Sequence, residues 1–307
     1  MDKQKLALFS LFVAVIFGGL GGIFGKLALR YFTPTSTVFI RFSLALMILI
    51  PLTVRSGQYL VKKKDLLPVL ATSFFWTLNV FGFIVGLQYT TAIMSQLVYL
   101  LVPLIVLLLS KFFSKEKILA AQIFGVVLGI TGGLLILTGS LTGNPEEILH
   151  TFGSFKGNLV ILLAAVSWSF YLFFSKKMTI KYSPLVMTTY SSLLTLLLAG
   201  PLFLKDLNLH QLPSDLGADG LVGILGLAFI NSVGMLFLYQ WGIKNSSAFA
   251  AASVGPLSPL VAALIAIPLF GEQLTPLLIL SGATIFTGVY LATIYPVLKN
   301  HKNRKRL

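Results

Sequence analysis

The sequence predicts an all-helical membrane protein, with ten transmembrane helices forming two inverted five-helix repeats and both termini in the cytoplasm. Three observations support this fold class: the composition, the length of the apolar runs, and the distribution of basic residues between successive connections. Of the 307 residues, 56% are hydrophobic and only 10% are charged. A soluble domain typically carries about 25% charged residues. This chain therefore has too few charges to cover a surface that faces water.

Apolar residues come in long runs, for example over 97–109, 159–174 and 257–270. Roughly 20 such residues span a bilayer as a helix, whereas a soluble helix would show a polar face at helical spacing. Strands are excluded because sheet edges exposed to lipid cannot pair their backbone groups. Breaking the apolar windows at charges, glycines and prolines predicts spans at 6–29, 36–54, 66–87, 90–113, 117–139, 157–176, 184–204, 219–243, 247–270 and 276–297.

The basic residues predict the orientation of these spans. Of the 23 Lys and Arg residues, eighteen lie at one set of alternate connections and termini. Four, namely Lys26, Arg30, Lys156 and Lys205, lie at the other set, and Arg41 lies inside a span. Because basic residues concentrate on the cytoplasmic side, both termini are predicted to be cytoplasmic. This placement requires an even number of spans. The N-terminal run lacks the cleavage site of a signal peptide and is predicted to be the first span.

The two halves of the chain match at a constant offset that pairs Pro103 with Pro259 and Gly132 with Gly288. Each repeat would contain five spans, an odd number, so the second copy would enter the membrane inverted. Inverted repeats are typical of alternating-access carriers, in which the substrate site lies at the repeat interface near the midplane. The predicted divisions are a first repeat at 1–140, an extracytoplasmic linker at 141–156, a second repeat at 157–298 and a basic cytoplasmic tail at 299–307.

Several motifs accompany this duplication: Pro103 is followed by Lys115-Glu116, Pro259 is followed by Gly271-Glu272, and the sixth span contains the segment 164–171. On these motifs the chain resembles the EamA-type members of the drug/metabolite transporter superfamily, as two EamA-like repeats over nearly its whole length. One departure is that the first repeat has lysine before its glutamate, where the second has the more typical glycine. The resemblance implies a carrier of a prokaryotic cytoplasmic membrane, with a cavity lined by spans one, three, four, six, eight and nine.

Polar and aromatic residues recur at mid-membrane depth in the spans that the resemblance assigns to the cavity. Small-molecule pockets are mostly apolar with a few placed polar groups, and such walls suit amino acids, aromatic metabolites or nucleosides. The alternative is that these residues form hydrogen bonds between helices, worth about 0.6–2 kcal/mol each. The candidate substrate-binding residues are Trp76, Asn79, Gln96, Tyr99, Trp168, Tyr171, Asn231, Tyr239 and Ser253.

A second group of candidates concerns gates and vestibules, and consists of Lys26, Arg41, Pro103, Pro259, Glu116 and Glu272. Lys26 and Arg41 lie inside spans near the outer boundary. Each either snorkels to water or lines an outer vestibule and attracts anionic groups of a substrate. The two glutamates stand at predicted helix N-termini, where a carboxylate caps free N–H groups or forms a gating salt bridge. The first span also has a glycine cluster that serves either close packing or a flexible gate: Gly18, Gly19, Gly21, Gly22 and Gly25.

The absent residue types narrow the function. The chain has no cysteine, and no Asp or Glu falls in the middle of a predicted span. Thiol chemistry is thereby excluded, and coupling through a buried carboxylate is disfavoured. The scattered basic residues disfavour a nucleic-acid partner, and no cofactor or metal is expected. We expect a non-enzymatic secondary transporter working by alternating access as an exporter, facilitator or exchanger, its partners being a small-molecule substrate and membrane lipids. The alternatives are a flippase for a lipid-linked substrate and, less favoured, an intramembrane enzyme.

Overall fold

The structure is a computed structural model that describes residues 3–58, 60–114, 119–141, 148, 150–209, 215–246, 254–255 and 257–296. These residues form helices joined by short turns, and they contain no strand. The helices are α1 Lys3–Ala28, α2 Pro34–Arg55, α3 Lys63–Leu87, α4 Ala92–Tyr99, α5 Val102–Ser114, α6 Ala120–Gly139, α7 Phe155–Met178, α8 Pro184–Leu209, α9 Ala218–Asn245, α10 Leu257–Phe270 and α11 Pro276–Thr293.

Nine helical stretches within the described residues are long and apolar enough to cross a membrane, with α4 and α5 counted as the single stretch Ala92–Phe113. The helix α10 is a shorter apolar helix of 14 residues. Large apolar side chains such as Met47, Leu67 and Leu264 are 73%, 77% and 76% exposed. Water would not favour such a surface, but lipid does. The chain is therefore a multi-pass membrane protein, as the composition predicts.

Hydroxyl side chains begin several of these helices. The first N–H groups of a helix have no partner within it, and a Ser or Thr oxygen just before the helix accepts from one of them. Thr33 does so for α2 at 3.2 Å and Thr91 for α4 at 3.1 Å. Ser154 caps α7 at 3.0 Å and Thr275 caps α11 at 3.2 Å. Each cap therefore fixes the residue at which its helix begins.

The sequence predicts one continuous fourth span over 90–113, but the structure divides it at Leu100 and Leu101 into α4 and α5. Pro103 explains the break, because its nitrogen cannot donate to the carbonyl of Tyr99 and its ring would clash with that carbonyl. The amides of Leu100 and Leu101 instead donate to carbonyls three residues earlier. Tyr99 ends α4, Pro103 lies at the start of α5, and both line the central cavity described below.

A second irregularity lies in α9, whose central part, Gly226–Met235, is a π-helix. The hydroxyl of Ser232 donates to the carbonyl of Leu227, five residues earlier, at 3.0 Å. A π-helical turn inside an α-helix is rare and often occurs at a functional site. Here it exposes Asn231 and Met235 to the same central region as the α4–α5 break.

The helices pack as pairs drawn from both halves of the chain: α3 with α7, α2 with α8, α6 with α11, α4 with α10, and α1 with α9 and α10. Glycines allow the closest of these approaches. A Cβ built on Gly19 of α1 would lie 2.7 Å from the carbonyl oxygen of Ser258, whereas one built on Gly18 would have no atom within 4 Å. Gly19 is therefore a packing residue, and Gly18 borders open space.

Candidate functional site

A central cavity of about 160 Å³ lies between the two halves, beside the α4–α5 break and the π-helical part of α9. The residues around it come from α1, α2, α3, α4, α5, α7, α9 and α10, which places it at the centre of the helix bundle. Its walls combine aromatic rings, side-chain amides, one guanidinium and small residues. Its lining residues include Gly18, Arg41, Trp76, Asn79, Phe83, Gln96, Tyr99, Pro103, Trp168, Asn231, Met235, Tyr239 and Ser258.

Two groups of aromatic rings form much of the wall of this cavity. The ring centroids of Trp76 and Trp168 lie 5.4 Å apart, and those of Trp168 and Tyr239 lie 5.7 Å apart. Phe83 meets Tyr99 edge to face at 5.7 Å. Aromatic pairs at these separations are favourable and rigid. The wall therefore offers preformed flat surfaces on which a planar solute can stack.

The polar side chains of the cavity are partly held by the helices around them. The Asn79 amide donates to the carbonyl of Ala164 at 2.9 Å and to the hydroxyl of Tyr99. The Asn231 amide donates to the carbonyl of Phe17 at 2.7 Å. Within the described residues, the Asn231 carbonyl oxygen and the Trp76 indole nitrogen are buried without a hydrogen-bond partner. The site thus holds one unused acceptor and one unused donor.

Gln96 links the two halves across the same cavity. Its side-chain oxygen accepts from the hydroxyl of Ser258, which connects α4 with α10. Ser258 was missed, although it is a polar residue next to Pro259 in the predicted ninth span. Phe83 was also missed, although the repeat offset pairs it with the predicted Tyr239. The internal repeat therefore contained a usable signal for one of these residues.

Arg41 lies at the central cavity and not in an outer vestibule. It is only 5% exposed, so its side chain does not snorkel to the surface. Its Nε donates to the hydroxyl of Ser232 at 2.7 Å, and its guanidinium lies 5.0 Å from the centre of the Phe42 ring. Between these two contacts the guanidinium is fixed against the π-helical part of α9. Its placement next to the aromatic wall was not predictable from span position alone.

A second cavity of about 490 Å³ lies where α1 ends, α4 begins and α10 joins α11. We call this region the Glu272 end. It is lined by Lys26, Arg30, His150 and Glu272 among others, and shares no described residue with the central cavity. Between the two cavities, a Cβ built on Gly22 would lie 3.1 Å from the Cβ of Ala92. The helices α1 and α4 are therefore in close contact at this level.

The carboxylate of Glu272, 3% exposed, joins elements from both halves at the Glu272 end. It accepts hydrogen bonds from the amides of Ala92 at 2.7 Å and Ile93 at 2.9 Å, and it pairs with Lys26 at 3.0 Å. A carboxylate at a helix N-terminus satisfies free N–H groups and interacts favourably with the helix dipole. Glu272 was predicted to cap the helix that begins near it or to form a salt bridge. In the structure it makes both kinds of contact, but the helix that it caps is α4, and Thr275 caps α11.

The remaining predicted residues have different surroundings. Tyr171 is fully buried behind the aromatic wall, where its ring stacks on Trp168 at 5.3 Å and its hydroxyl accepts from Gln240 at 2.6 Å. Tyr171 is thus not brought to the cavity lining. Pro259 is buried in the first turn of α10 and does not line the cavity either. Ser253 and Glu116 lie outside the described residues.

Two similar ionic clusters each lie on a connection between spans, and the first shares Arg30 with the second cavity. In one, Arg30 pairs with Asp219 at 2.8 Å, and the hydroxyl of Tyr31 donates to the other carboxylate oxygen at 2.6 Å. The hydrogen bond to Asp219 raises the pKa of Tyr31. The first cluster therefore ties the α1–α2 connection to the start of α9.

The second cluster repeats this arrangement in other helices. Lys181 pairs with Asp65 at 2.8 Å, and the hydroxyl of Tyr182 donates to the other oxygen at 2.9 Å. The hydrogen bond to Asp65 raises the pKa of Lys181. This cluster ties the α7–α8 connection to the start of α3. Each connection ends in a hydroxyl residue followed by a proline, Thr33 in the first and Ser183 in the second.

Comparison with known proteins agrees with this architecture. The family model described as the EamA-like transporter family matches residues 5–138 and 155–294. The chain belongs to this family, which confirms the resemblance noted in its sequence. The two matched segments correspond to two copies of one repeat.

Individual relatives are bacterial and archaeal. The chain is 25% identical to the uncharacterized transporter YyaM of Bacillus subtilis over 295 residues, covering 93% of this chain and 91% of that protein. It is also 25% identical to an uncharacterized transporter of Archaeoglobus fulgidus, covering 91% of this chain and 95% of that protein. A protein of known crystal structure matches with a TM-score of 0.64 and 19% identity, covering 94% of this chain and 96% of its own. At that identity the structural likeness concerns the fold alone.

Proposed function

We propose that this protein is a secondary transporter that moves small metabolites across the cytoplasmic membrane by alternating access. The observation that carries the proposal is the central cavity, which both halves enclose with aromatic rings, amides and Arg41. Transporter sites typically lie at such a repeat interface and are built from discontinuous helices. The α4–α5 break and the π-helical part of α9 supply that irregular backbone here.

The contact between α6 and α11 supports an inverted repeat. A Cβ built on Gly132 would lie 2.9 Å from the Ser281 oxygen and 3.0 Å from the Ile285 nitrogen. One built on Gly288 would lie 2.5 Å from the Gly125 oxygen and 2.7 Å from the Gly129 nitrogen. The offset that pairs Gly132 with Gly288 also pairs Gly125 with Ser281 and Gly129 with Ile285. Reciprocal contacts of this kind are what a two-fold relation between the halves produces.

The two ionic clusters support the same relation, since each joins a span connection of one half to the start of a helix in the other. On this interpretation α10, together with the residues just before it, supplies the tenth span. The excess of basic residues on one set of connections then places both termini in the cytoplasm. The Glu272 end therefore faces outward, and Asp65 with Lys181 lies at the inner face.

Glu272 supports a role in gating. Alternating access requires that the two halves separate at one end while they close at the other. Glu272 belongs to the second half and holds the N-terminus of α4, which belongs to the first. Its bonds to Ala92 and Ile93 would have to break for the outer end to open. In the repeat, Glu116 is the counterpart of Glu272, and we propose that it closes the inner end.

The experiment that tests this function is counterflow in proteoliposomes. The purified protein is reconstituted, and exchange of amino acids, nucleosides and aromatic metabolites is measured with and without a proton gradient. We expect saturable counterflow of at least one solute and no requirement for the gradient, because the predicted spans contain no mid-membrane carboxylate. Failure of every water-soluble solute to exchange would contradict the proposal and favour a lipid-linked substrate.

Two variants test whether the solute that exchanges in counterflow binds in the central cavity. Trp168→Ala removes a stacking surface worth about 0.5–1.5 kcal/mol, which should weaken the apparent affinity roughly 2- to 10-fold. Asn79→Ala removes the amide that positions Tyr99 and should also reduce exchange. Trp241→Ala is the matched control, because Trp241 does not line the cavity and should leave exchange unchanged. Equal effects of Trp168→Ala and Trp241→Ala would place the substrate elsewhere.

A further inference from the structure

We infer that the substrate is an aromatic carboxylate and that Arg41 binds its carboxylate group in the central cavity; this inference rests on the proposed function. Arg41 lies seven residues into α2, about 10 Å from the start of the helix. None of the nine Asp and Glu residues falls in the middle of a predicted span. In the part of the chain that the structure describes, no ion pair involves Arg41. Among the described residues the guanidinium therefore has no counter-ion.

A buried charge without a partner is costly, and charges inside membrane spans usually mark the path of a substrate or ion. Arg41 cannot relieve this cost by losing a proton, because arginine stays charged in proteins. Nor can it snorkel, because it is 5% exposed and bonded to Ser232. An anion that enters the cavity is the remaining partner.

The contacts of Arg41 favour a carboxylate over a spherical anion. Ser232 takes the Nε, and the Ser232 hydroxyl donates in turn to the Leu227 carbonyl of the π-helical segment. The two terminal guanidinium nitrogens have no hydrogen-bond partner among the described residues. These nitrogens present parallel N–H groups that match the two oxygens of a carboxylate. The π-helical segment therefore holds the guanidinium of Arg41 in place through Ser232.

The rest of the cavity fits one aromatic ring. An engineered cavity of about 150 Å³ in another protein accommodates benzene, and this cavity measures about 160 Å³. Trp76, Trp168 and Tyr239 supply faces for stacking. A solute with an aromatic ring and a carboxylate would stack on these aromatic side chains and pair with the guanidinium of Arg41.

This substrate class accounts for the lack of a coupling carboxylate. A carboxylate that crosses without a companion ion carries one negative charge. An inside-negative potential drives that charge outward, by about 50-fold in concentration ratio for each 100 mV. An exporter of such anions therefore needs no proton or sodium site of its own.

The test compares an acid with its neutral amide on the full-length protein in detergent. Binding of phenylacetate and of 2-phenylacetamide is measured by calorimetry and by the fluorescence of the tryptophans beside the cavity, with sodium chloride as a competing anion. We expect phenylacetate to bind at least about 30-fold more tightly than the amide, the lower end of what a desolvated ion pair contributes. Equal binding of acid and amide, or no binding of either, would overturn the inference, and so would displacement by chloride at equal concentration.

Variants test whether the Arg41 side chain causes the preference for the acid over the amide. Arg41→Gln should remove the preference for the acid, and Arg41→Lys should keep part of it, because lysine has the charge without the fork. Arg55→Gln, the same change at the exposed end of the same helix, should keep all of it. A preference that survives Arg41→Gln would refute the role of Arg41.

The wild-type comparison of acid and amide remains decisive even if an Arg41 variant does not fold.

Counterflow distinguishes a failure of this inference from a failure of the proposed transport function. Exchange of neutral solutes without any acid preference would refute this inference alone, and acid binding without exchange of any solute would refute the transport function alone.

Discussion

The substitution Glu272→Gln removes a charge that connects the two halves while leaving the shape of the side chain almost unchanged. The carboxylate accepts from two backbone amides, at 2.7 and 2.9 Å, and pairs with Lys26. Glutamine keeps one acceptor oxygen. In place of the second oxygen it puts an NH₂ group against a backbone N–H, and two donors cannot bond to each other.

The cost to the closed outer end follows from these contacts. A hydrogen bond to a charged group contributes about 1.5–3 kcal/mol and a neutral one about 0.5–1.5 kcal/mol. Losing one bond and weakening the other, with the Lys26 pair also lost, should cost about 2–4 kcal/mol. Because 1.4 kcal/mol changes an equilibrium constant tenfold, the ratio of outward-open to closed molecules should rise about 30-fold or more.

The chain has no native cysteine, so one introduced cysteine can report this change. Gly18→Cys places a thiol on the central cavity at a position where an added Cβ meets no atom within 4 Å. A membrane-impermeant thiol reagent is added outside intact cells. Labelling of Cys in the Gly18→Cys protein should be at least about tenfold faster when Glu272→Gln is also present.

Asp215→Asn is the matched control, because Asp215 is an exposed acid on the same predicted side. It should leave the labelling rate unchanged. If Glu272→Gln lowers the midpoint of thermal unfolding but does not change labelling, Glu272 is a structural cap of α4 and the gating role is refuted.

Three further predictions concern packing and the cavity. Gly19→Ala should lower the thermal unfolding midpoint in detergent, because its Cβ would meet a backbone oxygen at 2.7 Å, whereas Gly18→Ala should not. Gly132→Ala and Gly288→Ala should each destabilise the α6–α11 contact by similar amounts, about 1–3 kcal/mol, and clearly unequal losses in a denaturant titration would argue against a two-fold relation. Trp168→Ala should weaken binding of phenylacetate roughly 2- to 10-fold in calorimetry, and unchanged affinity would remove stacking from the account.

Much of the helical architecture could be predicted from the sequence. A helix that crosses lipid must be long, apolar and paired along its whole backbone, so its presence is evident from local composition. The N-termini of some helices could also be predicted, because a threonine followed by a proline is a local signal for a helix start, as at Thr33 before α2 and Thr275 before α11. Residues of the central cavity such as Trp76, Asn79 and Trp168 could be predicted from polar and aromatic side chains at mid-span depth, without knowledge of their contact partners.

Other features depended on partners far away in the chain. Glu272 caps amides about 180 residues away, and no local pattern specifies which helix end a carboxylate will reach. Pro103 forbids one hydrogen bond in the fourth span, but whether a helix kinks or divides depends on the neighbours that pair the freed groups. The buried position of Arg41 likewise depends on Ser232 in α9. Such long-range contacts form the candidate site, and they became evident only in the folded chain.

The central claim is that one cavity serves both sides of the membrane in turn, and side-specific labelling of the Gly18→Cys variant tests it most directly. In proteoliposomes of defined orientation, the impermeant thiol reagent is supplied first outside and then inside. We expect the thiol to react from each side, and we expect a solute that exchanges in counterflow to slow both reactions. Reaction from one side alone, unaffected by solutes or by Glu272→Gln, would contradict alternating access.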